Sequence, residues 1–254
     1  MPTSLHLTLD LRGARDLPEH GAAPLHANFF KWIEAVDAPL AQLIDGGDGP
    51  KPFTVSSLSV EGDRLGQGVF RITLLDDDLY PILLAGLSKR SAAEIHHQVL
   101  PIAAQPEVYS RTYDDLWQAA ERSKHVTLAF DTPTSFKSKE MHYTLPDAAL
   151  VFGSYLTRWN AFAPAAMHVD ESWPEWVKQT VAVARFRLES REVRFRDHSQ
   201  MGCLGVVDYE VIRPVQSTDL ALTVFNVLGD YAYFCGTGHK TTQGMGQTRR
   251  LRNF

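Results

Sequence analysis

The first regular pattern along the chain is the alternation of Leu5, Leu7, Leu9 and Leu11 with polar residues, which turns one face of a strand over 5–11 toward a core. Beyond a loop over 12–23, apolar residues recur at Leu25, Phe29, Ile33 and Val36. That spacing aligns them along one side of a helix, and Pro24 suits its first position. Pro39 cannot continue the helix, because its ring clashes with the carbonyl four residues back, so Asp37 is expected to cap a short second helix over 38–44. Residues 53–60 and 68–75 have strand character on either side of a turn at Glu61-Gly62-Asp63, which predicts an antiparallel pair. Asp76 to Asp78 then introduce a helix over 79–87, and 104–112 returns as a strand. The order is β-α-β-β-α-β, the ferredoxin-like arrangement.

The second half repeats it. A strand over 125–130 precedes a helix over 147–162 carrying Leu150, Ser154, Leu156 and Trp159. Strands over 181–189 and 205–211, a helix over 217–228 and a last strand over 247–251 follow. The chain therefore reads as an α+β protein of two tandem ferredoxin-like (RRM-like) domains, residues 1–123 and 124–254, without a linker rich in Gly, Ser or Pro between them.

Composition bounds the function. The 254 residues are 44% hydrophobic and 10% aromatic, which excludes a disordered chain. Cys203 and Cys235 lie far apart and in no C-x-x-C spacing, so neither a disulfide framework nor a zinc cage is indicated, and a reducing cytoplasm fits. No window approaches a membrane span and the first residues lack the basic and apolar parts of a leader, so a cytoplasmic protein without membrane contact is expected. The net charge of −5 argues against nucleic acid only if the charge is spread evenly. It is not: the stretch 185–196 carries +3 and 240–254 carries +4, leaving −12 for the remainder.

The most specific string is Gly236-Thr-Gly-His-Lys-Thr-Thr-Gln-Gly-Met-Gly-Gln247. It fails as a P-loop, since His239 precedes Lys240 and Phe234 holds the earlier glycine position, and as a dinucleotide fingerprint, since Thr241 replaces the third glycine. Two readings remain open. Gly236 and Gly238 let the backbone approach a ligand while His239, Lys240, Thr241 and Thr242 offer donors suited to phosphate, or the glycines merely fold a crossover that packs the last helix on its sheet.

At this string the chain resembles the CRISPR-associated endoribonucleases that cut precursor CRISPR RNA within its repeats, the Cas six family. The pattern G-x-G-x-K-T-T-x-G-x-G-Q is matched from Gly236 to Gln247. Further matches are Leu17-Pro18, Leu25-His26-Ala27, Phe29-Phe30, Trp32, Ala38-Pro39-Leu40-Ala41, Lys51-Pro52-Phe53-Thr54-Val55-Ser56, Pro133-Thr134-Ser135-Phe136 and Arg158-Trp159-Asn160. The resemblance implies two ferredoxin-like domains and metal-independent, cofactor-free cleavage, in which the 2′-OH attacks the adjacent phosphodiester and leaves a 2′,3′-cyclic phosphate and a 5′-OH. It implies CRISPR repeat RNA, as precursor and as mature guide, for a partner, with other CRISPR-associated proteins and a second copy of the chain as further candidates.

It also assigns roles. His26 matches the family's L-H position and is the candidate general acid or base, kept neutral near pH 7 if its helix N-terminus disfavours imidazolium. Lys51, between two prolines, is the candidate cation for the charge that develops on phosphate. A second histidine that many members carry is absent: Leu43-Ile44-Asp45 stands there, which throws the proton transfer onto His26 or leaves a carrier that binds without cutting. His20 is a lesser alternative, and His96-His97 reads as a solvated loop. RNA grip is expected from the basic strand and hairpin of Arg185, Arg187, Arg191, Arg194 and Arg196, and from Arg249 and Arg250 beside the glycine-rich loop.

Overall fold

A computed structural model describes residues 1–15, 17, 22–60, 66–138, 141–170, 172–195, 197–213 and 218–252. They form two compact units, one of Met1–Ser110 with Thr242–Gly244, the other of Arg111–Thr241 with Met245–Phe254. The division falls after Ser110 and not at 123/124, because the short helix at Tyr113–Gln118 buries Tyr113 and Leu116 in the second unit, where Tyr113 packs on Trp159 and Tyr231.

In chain order the first unit contains β1 (Thr3–Asp10), α1 (Ala22–Glu34), α2 (Ala38–Gly46), β2 (Phe53–Val55), β3 (Ser59–Val60), β4 (Gln67–Leu74), α3 (Leu79–Lys89), β5 (Ala92–Ile95), β6 (Gln98–Pro101) and β7 (Glu107–Ser110). Its main sheet runs β2-β4-β1-β7 with β3 added along β4, and every pairing is antiparallel. This is the ferredoxin-like order. Leu5, Leu7 and Leu9 of β1 are fully buried, as their alternation requires, and meet Leu25, Phe29, Trp32 and Ile33 of α1 in one core. Asp37 caps α2 as the sequence suggested, accepting the Leu40 N–H at 2.9 Å. The expected strand 53–60 is split, since Ser56 Oγ takes the Arg71 N–H in place of a ladder carbonyl. The β5–β6 hairpin was not anticipated; His96 and His97 form its two-residue turn at φ 47° and 63°, exposed as the solvated reading held.

The second unit comprises α4 (Tyr113–Gln118), β8 (His125–Thr134), β9 (Phe136–Ser138), β10 (Met141–Tyr143), α5 (Ala148–Phe162), α6 (Trp173–Thr180), β11 (Val181–Arg194), β12 (Ser199–Val211), α7 (Asp219–Cys235) and β13 (Thr248–Leu251). The sheet order β11-β12-β8-β13 repeats the first unit's topology, again antiparallel throughout. Strands β11 and β12 extend past the expected 181–189 and 205–211 into a long ribbon. Most of its β11 side chains are exposed on both faces, so alternation fades there and gives no signal of strand. Cys203 and Cys235 are free thiols, both buried, and burial pushes them up to about 11 and about 12. No helix among the described residues is long and apolar enough to cross a membrane.

Candidate active site and nucleic-acid interface

In the first unit α1 begins at Ala22, so His26 sits in the second turn and not the first. Its ring lies 5.1 Å edge-on to Phe30 and 5.8 Å stacked on Phe53, half-buried beside the apolar stripe. Nδ1 is 3.0 Å from the Thr242 carbonyl oxygen. A carbonyl only accepts, so Nδ1 carries the proton and Nε2 presents the lone pair. Burial is the main reason His26 titrates below its ordinary 6.5, with Lys51 lowering it further while the Thr242 bond and Asp45 oppose. The neutral ring expected from a helix dipole is thus produced chiefly by desolvation.

Lys51 departs from its expected role. Nζ donates to the carbonyls of Ile44, Asp45 and Gly47, each at 2.8 Å, so all three of its N–H groups close the C-terminus of α2. A phosphoryl oxygen would have to displace one of these carbonyls to bond it. The lysine holds the segment 44–47, and with it Asp45, in the electrostatic surroundings of His26.

The glycine-rich loop leaves α7 at Gly236, φ 64°. Its amides are largely spoken for: Gly236, Thr237, His239, Gly244, Met245 and Gly246 donate to backbone carbonyls, Gly238 to Ser154 Oγ and Gln247 to Thr132 Oγ1. A phosphate cradle of successive free N–H groups is therefore not what the string builds over these positions. The glycines serve close packing: a Cβ at Gly238 would overlap the Ser135 carbonyl oxygen, and one at Gly246 the Thr237 carbonyl oxygen. Arg158 of α5 pins the loop by donating to the Gly238 oxygen at 2.8 Å, with Thr241 Oγ1 at 3.4 Å; Thr241 is buried. The tripeptide Thr242–Gly244 belongs to the first unit, where the Gly244 N–H donates to the Val55 oxygen. Thr237 and Thr241 spend their hydroxyls on Tyr155, Thr248 and Arg158 inside the unit, whereas the side chains of His239 and Lys240 are part-exposed.

The arginines separate into two sets. Arg185 and Arg187 lie on the exposed β11 ribbon and share a face, and no acid pairs with them among the described residues. Arg191 and Arg194 bond Glu189 and Glu192 two positions away, exposed pairs of small energetic weight. Arg196 lies outside the described residues, as does His20. The C-terminal basic cluster does not survive as a free one. Arg249 pairs with Asp131 at 3.0 Å and Arg252 with Asp230 and Glu121. Arg250 is 6% exposed, bonded to Asp230, Glu121 and the Asn226 side chain. Arg250→Ala is expected to destabilise the fold by about 1–3 kcal/mol, because it leaves the buried Asn226 Oδ1 without its donor while Arg252 still holds Asp230; Arg187→Ala should stay within about 0.5 kcal/mol. Urea melts of the two variants check the contrast.

Two ferredoxin-like units in tandem, the second ending in a glycine-rich loop and a short strand, define the class of protein. A family model described as CRISPR-associated endoribonuclease Cas6 matches residues 128–248. The Streptococcus thermophilus CRISPR-associated endoribonuclease Cas6 is 21% identical over 132 residues, covering 52% of this chain and 53% of that protein, so the match spans about half the length of the curated relative. Among solved structures, a Thermus thermophilus Cas6 product complex superposes over 99% of this chain and 100% of its own, at 26% identity and TM-score 0.86. A Cas6-related protein of Pyrococcus furiosus, 14% identical over 100% of both chains with TM-score 0.64, shares the fold. Over residues 128–248 the chain matches the Cas6 family, and over its whole length it is similar to solved Cas6 structures.

Proposed function

We propose that this protein is a cytoplasmic endoribonuclease that cuts precursor CRISPR RNA within its repeat, without metal or cofactor, and that His26 is its general base. In this reading His26 Nε2 takes the proton of the 2′-OH, the 2′ oxygen bonds to phosphorus, and the 5′ oxygen leaves and acquires a proton from solvent. The products are a 2′,3′-cyclic phosphate and a 5′-OH. The observation that carries it is the fixed tautomer: the Thr242 carbonyl holds Nδ1–H, and desolvation keeps the ring unprotonated at neutral pH. The likeness to a Cas6 product complex, 26% identical, and to an endoribonuclease of Streptococcus thermophilus supports an RNA substrate. Arg185 and Arg187, unpaired among the described residues, are suited to its phosphates.

The test is cleavage of a synthetic repeat in EDTA, repeated with a 2′-deoxy sugar at the cut. Cleavage that needs metal or survives the deoxy sugar would overturn the mechanism. The sign of the pH dependence also follows. Because His26 titrates below 6.5, the base form persists as pH falls through 6.5, and the acid limb of the single-turnover rate is expected below that value. A limb above pH 7 would exclude His26 as the base.

A second reading rests on Lys51, whose donors are used by α2, and on Ile44 and Asp45 where a second histidine is common: a subunit that binds repeat RNA and no longer cuts. Equal repeat binding by wild type and His26→Ala, with no cleavage by either, would favour it.

A further inference from the structure

Outside the His26 region the second unit gathers a cluster of cationic and imidazole side chains from five elements. Lys137 comes from β9 and His142 from β10, both exposed; Arg158 comes from α5; His198 lies in the turn between β11 and β12; His239 and Lys240 come from the glycine-rich loop. Lys240 donates from Nζ to His198 Nε2 at 2.6 Å and sits 3.6 Å above the Phe195 ring, which stacks on His198. His142 and His239 are 5.8 Å apart by ring centroid, and Gln200 reaches His142 Nδ1 at 3.4 Å and also bonds Ser135 Oγ. Lys240 is held at φ 58°, a left-handed conformation that a non-glycine residue adopts only when its surroundings impose it.

No carboxylate balances the cluster among the described residues. Asp197 is next to His198 in sequence, yet it makes no ion pair among the described residues. After burial, every charged neighbour that pushes His239 down to about 4 is basic: Lys240, His142, Lys137 and Arg158. Like charges held together against a partly desolvated imidazole repel unless an anion sits among them. The donors come from separate elements and surround His239, so that several of them can face one anion.

We propose that Lys137, His142, His198, His239 and Lys240 form a binding site for a phosphate group of the RNA backbone. It is separate in composition from the His26 site. The proposal rests on the RNA-binding reading above and extends it from the glycine-rich loop to the β9–β10 hairpin and the β11–β12 turn.

The experiment has two arms. Side-chain NMR signals of the histidines are followed while inorganic phosphate is added to the wild type and to the Lys137→Ala/His142→Ala variant, both of which replace exposed side chains. Saturable shifts in the wild type, weakened at least about tenfold in the variant, are expected. In the second arm both proteins bind a repeat RNA made uncuttable by a 2′-deoxy sugar, over a series of salt concentrations. The variant should lose roughly tenfold in affinity, with a slope against log salt shallower by about 1. Histidine signals that phosphate leaves unmoved would overturn the site. Undiminished affinity and slope in the variant would overturn the RNA backbone as occupant while leaving repeat binding by the wild type in place. A wild type that does not bind the repeat would overturn the proposed function, and with it the RNA as occupant, whereas a phosphate response would still establish the anion site.

Discussion

Replacing His26 with alanine is expected to lower the single-turnover rate of repeat cleavage by about 10²- to 10⁴-fold, the usual weight of a positioned acid or base. The affinity for uncut repeat should change by less than about threefold, since no cation is removed. The change deletes the only imidazole that the first unit sets with one nitrogen fixed by a carbonyl and the other free among the described residues of that region. It also empties the space beside Phe30 and Phe53, so a fall in rate by itself would not separate chemistry from packing. His26→Gln separates them, because its amide can still donate to the Thr242 oxygen and fill much of the volume but cannot accept a proton near pH 7. Rates for both variants, measured beside their melting curves, decide the matter. A His26→Gln protein that cuts at the wild-type rate would remove His26 from the chemistry.

The second large effect lies in the glycine-rich loop and concerns stability. Gly246→Ala is expected to cost about 3–5 kcal/mol. It places a Cβ on the Thr237 carbonyl oxygen, at φ 68°, where an alanine is strained even in open space. The clash is with backbone, which cannot rotate away as a long side chain would. The Thr237 N–H also donates to the Gly246 oxygen, so relieving the overlap pulls on a bond between the two arms of the loop. Gly153→Ala is the control: it lies in α5 with nothing within 4 Å of the new atom, and the helix should gain about 0.5–1 kcal/mol. A Gly246→Ala protein that melts with the wild type would mean that the loop has another conformation open to it.

Both predictions show how the glycine string must be understood. From the residues alone it was equally a ligand cradle and a packing device, and for the backbone the packing reading prevails, because eight of its amides already have acceptors inside the protein. Its side-chain content outside the packing is His239 and Lys240, which lie with Lys137 and His142 from a hairpin that sequence periodicity did not reveal and with His198 from the turn of the expected basic hairpin. Three-residue strands such as β9 and β10 are too short to show an alternation. Arg158 did leave a trace, in the Arg158-Trp159-Asn160 string, although only the fold assigns it the loop carbonyl.

The charge pattern had a similar fate. Counting signs along the chain made 240–254 a basic patch, but counting is blind to acids contributed from Glu121, Asp131 and Asp230, which neutralise Arg249, Arg250 and Arg252. Arg185 and Arg187 are exposed on the β11 ribbon and make no ion pair among the described residues, although Asp208 lies opposite Arg185 in the register.

What the sequence by itself determined was the order and the nature of the principal elements in both halves: alternation in β1, the helical stripe of α1, the Asp37 cap and the second β-α-β-β-α-β series. These depend on residues within a few positions of one another, where the backbone's own periods of 2 and 3.6 dictate which side chains share a face. Only the tertiary structure decided what each polar group does. The tautomer of His26 is set by a carbonyl 216 positions away, Lys51 is consumed by the end of α2, and Arg250 is buried on Asp230. Hydrogen bonds and ion pairs act over a few ångströms in space, and the residues that come within that reach are fixed by how the elements pack, which local pattern does not contain.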